Sequence, residues 1–178
     1  MVEEKNALRK MVRMRLAALS SQEKKLRSAV IVEQIKEHLA VSAARVVALY
    51  SPLGSEPQIW QLVEELSKVM LVALPRVEGG LMNFYCYTPG TMCAGALGVM
   101  EPQGEDVLCP HEIDVMVVPG VVFTVDGHRM GRGKGYYDRY LSQEGFRGLK
   151  LGVCYAEQLV DGLPLEPHDV KMDHVIYE

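Results

Sequence analysis

Residues 114–119 read D-V-M-V-V-P, and residues 120–138 continue G-V-V-F-T-V-D-G-H-R-M-G-R-G-K-G-Y-Y-D. The first six residues form a short apolar run rich in valine, which predicts a buried strand. Asp126-Gly127 predicts a hairpin-type turn between residues 121–124 and 128–130. A helix is expected to begin near Lys134 and to run to about Ser142. The stretch therefore predicts a buried strand, a hairpin, a glycine-rich loop and a helix, in that order.

Strands and helices also alternate outside this stretch. Apolar residues at three- and four-residue spacing predict a helix over 3–19, and the capping box of Ser20 and Glu23 predicts a second helix to about residue 39. Apolar runs predict strands at 45–50, 69–74 (ended by Pro75), 81–87 (more exposed), 149–154 and 175–177, with a helix over 57–68 and an ordered loop over 89–110. The alternation predicts a single α/β domain, residues 1–178, with a mostly parallel sheet.

Composition limits the class of protein. The chain of 178 residues is 48% hydrophobic and 24% charged, an ordinary globular balance. Its net charge of −4 and pI near 5.8 argue against nucleic acid as the main partner. The four cysteines lack C-x-x-C spacing, and no apolar run approaches the roughly 20 residues that span a bilayer. We therefore expect a cytoplasmic protein with free thiols and no membrane partner.

The loop 131–135 has the composition of an anion-binding loop. Gly131, Gly133 and Gly135 alternate with other residues, and glycine allows positive φ and close backbone approach to a ligand. Backbone N–H groups exposed in such a loop form a nest for phosphate oxygens. Gly135 stands where a Walker A loop has Ser or Thr, and the spacing also differs from G-x-G-x-x-G. The loop is therefore predicted to bind phosphate by a different motif.

Charged side chains flank these glycines. Arg129, Arg132 and Lys134 place three cations within six residues. Arg grips phosphate oxygens in bidentate fashion, while Lys acts as a point charge. Asp138 follows one turn into the predicted helix, where its carboxylate could reach a phosphate-bound Mg²⁺. The pattern predicts an enzyme that binds ATP and uses its phosphates to activate a small molecule.

These motifs resemble one known family. The run P-G-V-x-F of residues 119–123, followed by D-G-x-R-x-G-R-G-K-G-Y-Y-D of residues 126–138, is similar to the hallmark of the 5-formyltetrahydrofolate cyclo-ligases, also called methenyltetrahydrofolate synthetases. Four further segments resemble the family in the same order: K-x-x-L-R at 5–9, residues 51–57, L-P-R at 74–76 and the acidic tail 163–173. The resemblance thus covers nearly the whole chain.

The resemblance implies a reaction and a fold. Family members convert 5-formyltetrahydrofolate to 5,10-methenyltetrahydrofolate while ATP becomes ADP and phosphate, in the presence of Mg²⁺. The γ-phosphate would activate the formyl oxygen, and N10 would then close the ring and release phosphate. The implied fold is a three-layer α/β/α domain similar to the sugar-isomerase and CoA-transferase class. The implied partner is a reduced folate, with or without a polyglutamate tail, and we expect a monomer.

Binding roles follow from the same resemblance. ATP contacts are implied for Lys5, Asn6, Leu8, Arg9, Arg129, Gly131, Arg132, Gly133, Lys134 and Gly135. Substrate contacts are implied for Ser51, Glu56, Tyr136 and Tyr137, and catalytic roles for Arg132, Lys134 and Tyr137. Metal binding is implied for Asp138 with Asp169 or Asp173, without a choice between the last two. From the residues alone, the cations of the first helix also fit a solvated helix face, and either tyrosine also fits core packing.

One departure keeps other functions open. Many members carry Thr shortly after the residue equivalent to Glu56, whereas this chain reads Pro57-Gln58-Ile59. A paralogue that uses ATP on another formamide or amide is therefore one alternative. A non-enzymatic nucleotide- or nucleic-acid-binding module is a second, which the net acidity and the three candidate metal ligands disfavour. A sugar-phosphate isomerase-like protein is a third, and it lacks a clear general-base constellation.

Overall fold

A computed structural model of the chain describes residues 2–95 and 98–178. Within these residues the α-helices are α1 (Val2–Ala17), α2 (Ser21–Ser42), α3 (Trp60–Leu66) and α4 (Tyr136–Leu141). The strands are β1 (Val46–Ala48), β2 (Leu71–Glu78), β3 (Leu81–Cys86), β4 (Met92–Ala94), β5 (Met100–Pro102), β6 (Val107–Leu108), β7 (Val115–Pro119), β8 (Val122–Phe123), β9 (Arg129–Met130), β10 (Leu149–Cys154) and β11 (His174–Tyr177). No helix among the described residues combines the length and apolarity that crossing a bilayer requires.

A seven-stranded sheet forms the centre of the fold, in the order β11-β10-β7-β1-β2-β3-β6. The strands from β11 to β2 run parallel, whereas β3 and β6 join antiparallel at one edge. Strands β4 and β5 form one small ribbon, and β8 and β9 form the predicted hairpin. The prediction of an α/β domain with a mostly parallel sheet is confirmed.

Helices cover both faces of the sheet. On β7, Val115 and Val117 pack into a core that also contains the buried faces of α1, α2 and α3. The alternate residues Met116 and Val118 pack into a second core with the buried residues of α4. All residues of β7 are buried, as the continuous apolar run predicted for a strand covered on both sides. Each such valine contributes about 1.5–3 kcal/mol through burial.

The capping box at the start of α2 is present as predicted. The Ser20 hydroxyl accepts the Glu23 N–H at 3.2 Å, and the Glu23 carboxylate accepts the Ser20 N–H at 2.8 Å. An N-cap of this kind stabilises a helix by about 1 kcal/mol. The helix ends at Ser42, and the C-cap residue Ala43 has φ of 53°. The box fixes how the chain turns from α1 into α2.

Three predictions of secondary structure were wrong. Strand β2 continues through Pro75 to Glu78, because the antiparallel partner β3 extends it after β1 has ended. Residues 89–110, predicted as an ordered loop, contain the short strands β4, β5 and β6. Strand β3 is half-buried and more exposed than β7, as predicted. Helix α3 begins at Trp60 rather than near Pro57, since the Tyr50 hydroxyl donates to the Pro57 carbonyl at 2.7 Å and holds that segment outside the helix.

The order of the strands creates a crevice between β1 and β7. From β1 the chain crosses through α3 to β2 on one side, while β7 lies on the other side of β1. Ligands of open α/β sheets bind at such switch points, beyond the carboxyl ends of the strands. We therefore expect a ligand-binding site beside the residues that follow β1 and β7.

Candidate active site

A cavity of about 360 Å³ opens at this switch point. Its walls come from the ends of β1 and β7, the strands β2, β3 and β5, and the glycine loop with the start of α4. The lining residues are Tyr50, Ser51, Leu53, Glu56, Pro75, Val77, Met82, Val99, Glu101, Pro119, Gly120, Arg129, Gly131, Arg132, Lys134, Gly135, Tyr136, Tyr137 and Asp138. Apolar surfaces with a few convergent polar groups are typical of small-molecule sites.

The glycine loop has the predicted left-handed backbone at two positions. Gly133 and Gly135 have φ of 100° and 65°, values that L side chains rarely adopt. Lys134 lies between them with its side chain exposed and without an ion-pair partner among the described residues. The Lys134 carbonyl accepts a hydrogen bond from Arg139 at 2.7 Å, which ties the loop to α4. The loop therefore presents a free ammonium at the mouth of the cavity.

Arg129 and Asp138 form a buried ion pair under the loop. Nη2 of Arg129 lies 3.0 Å from both carboxylate oxygens of Asp138, and Nη1 donates to the Pro119 carbonyl at 3.3 Å. The side chains are only 2% and 13% exposed. Asp138 also accepts the Val170 N–H at 3.3 Å, which fixes the C-terminal segment against α4. Arg129 thus packs under the glycine loop, and the Asp138 carboxylate balances its charge.

Arg132 connects the glycine loop to the segment after β1. Its Nη2 donates to Oε1 of Glu56 at 3.0 Å and to the Ser55 hydroxyl at 2.9 Å. Glu56 is buried, and its other oxygen accepts the Leu53 N–H at 2.9 Å. Two residues that are 76 positions apart in the sequence, and that were predicted to bind different ligands, are therefore in direct contact.

The first helix places one of its predicted residues, Arg9, against the loop. Arg9 donates from Nε to the Gly131 carbonyl at 3.0 Å and from Nη1 to the Asn6 side chain at 3.0 Å. Burial and the neighbouring Arg13 lower the pKa of Arg9. Leu8 instead packs against the core on the inner side of α1. Arg9 is therefore held against the loop, while Leu8 has a packing role.

Lys5 contacts the C-terminal segment rather than the glycine loop. Its Nζ lies 2.6 Å from Glu166 and 3.3 Å from Asp169. Burial alone would lower the pKa of Lys5, but the hydrogen bonds to the two carboxylates outweigh it and the pKa is raised. The Val170 N–H bond to Asp138 brings this segment beside the loop. Lys5 therefore belongs to a small electrostatic cluster next to the glycine loop and α4.

The candidate metal ligands do not all come together. Asp173 lies where β11 begins, and its carboxylate accepts the Lys150 N–H at 2.7 Å and pairs with Lys150 Nζ at 2.9 Å. Lys150 is paired with Met116 near the start of β7, so Asp173 lies toward the amino ends of the strands, away from the cavity. Ligand atoms of Glu166, His168 and Asp169 instead lie within 4.8 Å of one another. Of the two alternatives, Asp169 is the one whose neighbour, Val170, contacts Asp138.

The two tyrosines of α4 face different surroundings. Tyr137 packs edge-on against Phe84 with ring centroids 6.4 Å apart, and the Arg129 guanidinium lies 5.6 Å from its ring centroid. Burial raises the pKa of Tyr137, and the nearby Glu56 adds to this. The guanidinium carbon of Arg139 lies 5.3 Å from the ring centroid of Tyr136. Both rings line the cavity, so neither is confined to core packing.

Ser51 reaches the cavity from the end of β1. Its hydroxyl donates to the Met100 carbonyl of β5 at 2.6 Å. This bond joins the parallel part of the sheet to the ribbon of β4 and β5. The predicted substrate residue therefore also positions one wall of the cavity.

A smaller cleft of about 170 Å³ adjoins the cavity. It is lined by Arg9, Arg13, Leu16, Ser55, Gly120, Val121, Arg132 and Gln158. Arg132 and Gly120 line both the cleft and the cavity. Sequence reasoning missed Arg13, although its position one turn after Arg9 on the same helix is a signal that could have identified it. It also gave no role to Glu166, although this residue lies within the acidic tail 163–173, and it missed Glu101, which no motif distinguished from a surface acid.

Comparison with known proteins gives a consistent result. Residues 1–178 match the model of the 5-formyltetrahydrofolate cyclo-ligase family. A 5-formyltetrahydrofolate cyclo-ligase of Mycolicibacterium smegmatis is 34% identical over 143 residues, which cover 75% of this chain and 74% of that protein. One from Mus musculus is 25% identical and covers 98% and 93%.

Solved structures agree with the family match. The 5,10-methenyltetrahydrofolate synthetase of Aquifex aeolicus superimposes with a TM-score of 0.87 at 35% identity, over 97% of this chain and 89% of that chain. The synthetase of Mycoplasma pneumoniae gives a TM-score of 0.80 at 30% identity, over 97% and 98%. The resemblance seen in the sequence motifs is confirmed, and the chain belongs to the 5-formyltetrahydrofolate cyclo-ligase family of enzymes.

Proposed function

We propose that this chain converts 5-formyltetrahydrofolate to 5,10-methenyltetrahydrofolate and consumes ATP in doing so. The observation that carries the proposal is the position of Arg132, which lines both the larger cavity and the smaller basic cleft. A polyphosphate in the cleft and a reduced folate in the cavity would meet at this one guanidinium. Membership of the cyclo-ligase family supports the same reaction.

The cleft suits a polyphosphate because of its charge. Arg9, Arg13 and Arg132 line it, and Arg13 has no ion-pair partner among the described residues. Arg binds phosphate oxygens through two parallel N–H donors, which gives direction as well as affinity. The exposed ammonium of Lys134 and the backbone of the glycine loop lie on the cavity side of Arg132. These groups would hold the γ-phosphate and balance its charge during transfer.

The cavity suits a flat, partly apolar ring system. Its volume of about 360 Å³ is within the usual range for ligand pockets. Tyr136 and Tyr137 provide aromatic faces on which a pterin ring can stack. Glu56, held by Arg132, lies where this cavity approaches the cleft. The formyl group is therefore expected beside Glu56 and Arg132, with the ring system deeper in the cavity.

The proposed chemistry needs positioning and charge rather than a covalent nucleophile. The formyl oxygen attacks the γ-phosphorus, ADP leaves, and an O-phosphorylated iminium forms at N5. N10 then attacks the activated carbon and loses its proton, and phosphate departs with the former formyl oxygen. Arg132 and Lys134 would stabilise the phosphoryl group in the first step and the leaving phosphate in the last.

Carboxylates beside the loop fit a magnesium ion. Asp138 and Asp169 offer oxygen ligands, the type that Mg²⁺ prefers, and Glu166 lies next to Asp169. Mg²⁺ bound with the nucleotide would neutralise charge on the β- and γ-phosphates. Lys5 now pairs with Glu166 and Asp169, so its ammonium would move toward the phosphates when these carboxylates take a metal.

The test is an absorbance assay for methenyltetrahydrofolate with 5-formyltetrahydrofolate, ATP and Mg²⁺. We expect product only when all three are present. Lys134→Ala should lower the rate by about 100-fold or more, as loss of a group that stabilises transition-state charge does. Lys68→Ala, which removes another exposed lysine far from the site in sequence, is the matched control and should leave the rate unchanged.

Two results would contradict the proposal in different ways. Product formation without ATP would exclude the phosphorylation step. Binding of ATP with no product would indicate another N-formyl or amide substrate, the alternative that the Pro57-Gln58-Ile59 departure leaves open.

A further inference from the structure

Arg76 ends the L-P-R motif of residues 74–76, which has no role in the site described above. Successive side chains of a strand point to opposite faces of the sheet. Pro75 and Val77 line the cavity, so Arg76 between them on β2 points to the other face. There its guanidinium carbon lies 3.6 Å from the ring centroid of Tyr85 on β3. Arg76 is therefore placed beside the cavity but on the far side of one of its walls.

The Arg76 guanidinium binds the chain where it leaves β5. Nη1 donates to the Pro102 carbonyl at 3.0 Å and to the Gly104 carbonyl at 2.8 Å. The side chain is only 15% exposed, so water screens these bonds little. Hydrogen bonds from a charged donor are stronger than those between neutral groups. One side chain of the main sheet thus holds two successive turns of the segment that follows β5.

Two neighbours fix the direction in which the guanidinium points. Glu78 has one carboxylate oxygen 3.2 Å from Nε of Arg76, and its other oxygen accepts a hydrogen bond from Nη2 at 3.3 Å. The Tyr85 hydroxyl donates to the same carboxylate at 2.7 Å, while its ring packs against the guanidinium plane. Arginine stacks on aromatic faces in this way. The donors of Nη1 are therefore oriented toward the Pro102 and Gly104 carbonyls before any ligand binds.

Strand β5 depends on side chains for its attachment to the main sheet. Among the described strands it forms its ladder with β4, in a ribbon separate from the seven-stranded sheet. The Ser51 hydroxyl donates to the Met100 carbonyl at 2.6 Å where β5 begins, and the Glu101 carboxylate accepts the Val77 N–H at 3.2 Å in its middle. Arg76 provides the attachment at the end of β5. The position of β5 is thus set by these contacts rather than by a shared ladder.

We propose that Arg76 is a positioning residue for the reduced folate and acts through the β5 wall of the cavity. This inference rests on the proposed function, which gives the cavity a reduced folate as its occupant. Val99 and Glu101, in and beside β5, line the cavity. The described residues that line the smaller cleft, assigned above to the polyphosphate, include none from β4 or β5. Displacement of β5 would therefore change the fit of the folate and leave the nucleotide site in place.

Loss of Arg76 should separate the Michaelis constants of the two substrates. Arg76→Met keeps an unbranched stem over Tyr85 but removes both bonds to the carbonyls. The KM for 5-formyltetrahydrofolate should rise about 10-fold, which is less than the roughly 100-fold that a 1 Å misplacement can cost. The KM for ATP should stay within about twofold of the wild-type value. A merely structural role would lower the folded fraction, and with it the apparent kcat, without moving either KM.

The test is the absorbance assay with the intact chain, with each substrate varied while the other is saturating. Tyr85→Phe removes the hydroxyl bond to Glu78 but keeps the ring and the carbonyl bonds of Arg76, so both KM values should equal those of wild type. Arg147→Met removes an exposed arginine and should also behave as wild type. Circular dichroism shows whether each variant is folded at the assay temperature. If Arg76→Met is not folded, Arg76→Gln, which is polar but too short to reach the two carbonyls, is judged by the same limits.

The outcomes separate this inference from the proposed function. If wild-type protein forms no product from 5-formyltetrahydrofolate and ATP, the proposed function fails, and this inference with it. If wild type is active and the folded Arg76 variant has a folate KM within about twofold of wild type, the role of Arg76 is refuted and the proposed function stands. An equal rise in both KM values would also refute it, because the disturbance would then not be confined to the β5 wall.

Discussion

Replacement of Asp138 by asparagine should destabilise the fold even without ligand. Asp138 balances Arg129, whose side chain is 2% exposed, through contacts of 3.0 Å to both carboxylate oxygens. Removal of one partner from a buried ion pair costs roughly 3–5 kcal/mol, because the other charge is left uncompensated. Asparagine keeps one oxygen and Asp138 is 13% exposed, so we expect the low end, about 3 kcal/mol. For a chain of 178 residues this corresponds to a Tm about 6–12 °C lower.

Urea denaturation in EDTA measures this effect without any contribution from metal binding. Asp161→Asn, an exposed acid outside any ion pair in the described part of the chain, should change the free energy of unfolding by less than about 0.5 kcal/mol. Arg129→Met combined with Asp138→Asn should cost less than the sum of the single changes by about 1–3 kcal/mol. A loss below about 1 kcal/mol for Asp138→Asn, or additive effects, would refute the view that the pair supports the loop.

Three further predictions concern buried groups. Tyr140→Phe should leave the free energy of unfolding unchanged or raise it by up to about 1 kcal/mol in urea denaturation, because the buried Tyr140 hydroxyl has no hydrogen-bond partner among the described residues. Tyr155→Phe should instead cost about 1–2 kcal/mol through loss of the hydrogen bond to Ser28. Burial raises the pKa of Tyr140 above the usual 10.0, so the folded state keeps a proton that the unfolded chain loses. The contribution of Tyr140 to the free energy of unfolding should therefore be full below about pH 10 and should fall above it. Tyr140→Phe should flatten the fall in stability that is measured between pH 9 and 11. Gly127→Ala should lower the Tm by several degrees, since φ is 105° and a methyl group would collide with the Met172 carbonyl, and a Tm equal to wild type would contradict this.

The fold was predictable where burial alone decides the structure. The runs at 115–119 and 149–154 are strands because β-branched residues covered on both faces have few alternatives. Boundaries failed where a distant side chain competes with local preference. Pro57 fits the first turn of a helix, yet the Tyr50 hydroxyl binds its carbonyl and α3 begins at Trp60. Such contacts depend on the assembled sheet and leave no local signal.

The candidate site was also predictable only in part. Composition and spacing singled out the glycine loop and its cations, and the structure gathers these residues around one cavity. The sequence could not show which charged side chains contact one another. Lys5 contacts Glu166, which is 161 positions away, and Asp173 binds Lys150 rather than Asp138. Glu101 could not be distinguished from a surface acid, because its burial depends on the assembled sheet.

Pro75 has a further effect on how the protein behaves before a ligand arrives. It lies on the stretch of β2 that continues past β1, where an open strand edge could pair with a strand from another molecule. Proline has no N–H to donate, and the next N–H on the same side, that of Val77, is already taken by Glu101. The strand edge beside the cavity therefore offers no template for strand addition, which protects the protein against edge-to-edge aggregation.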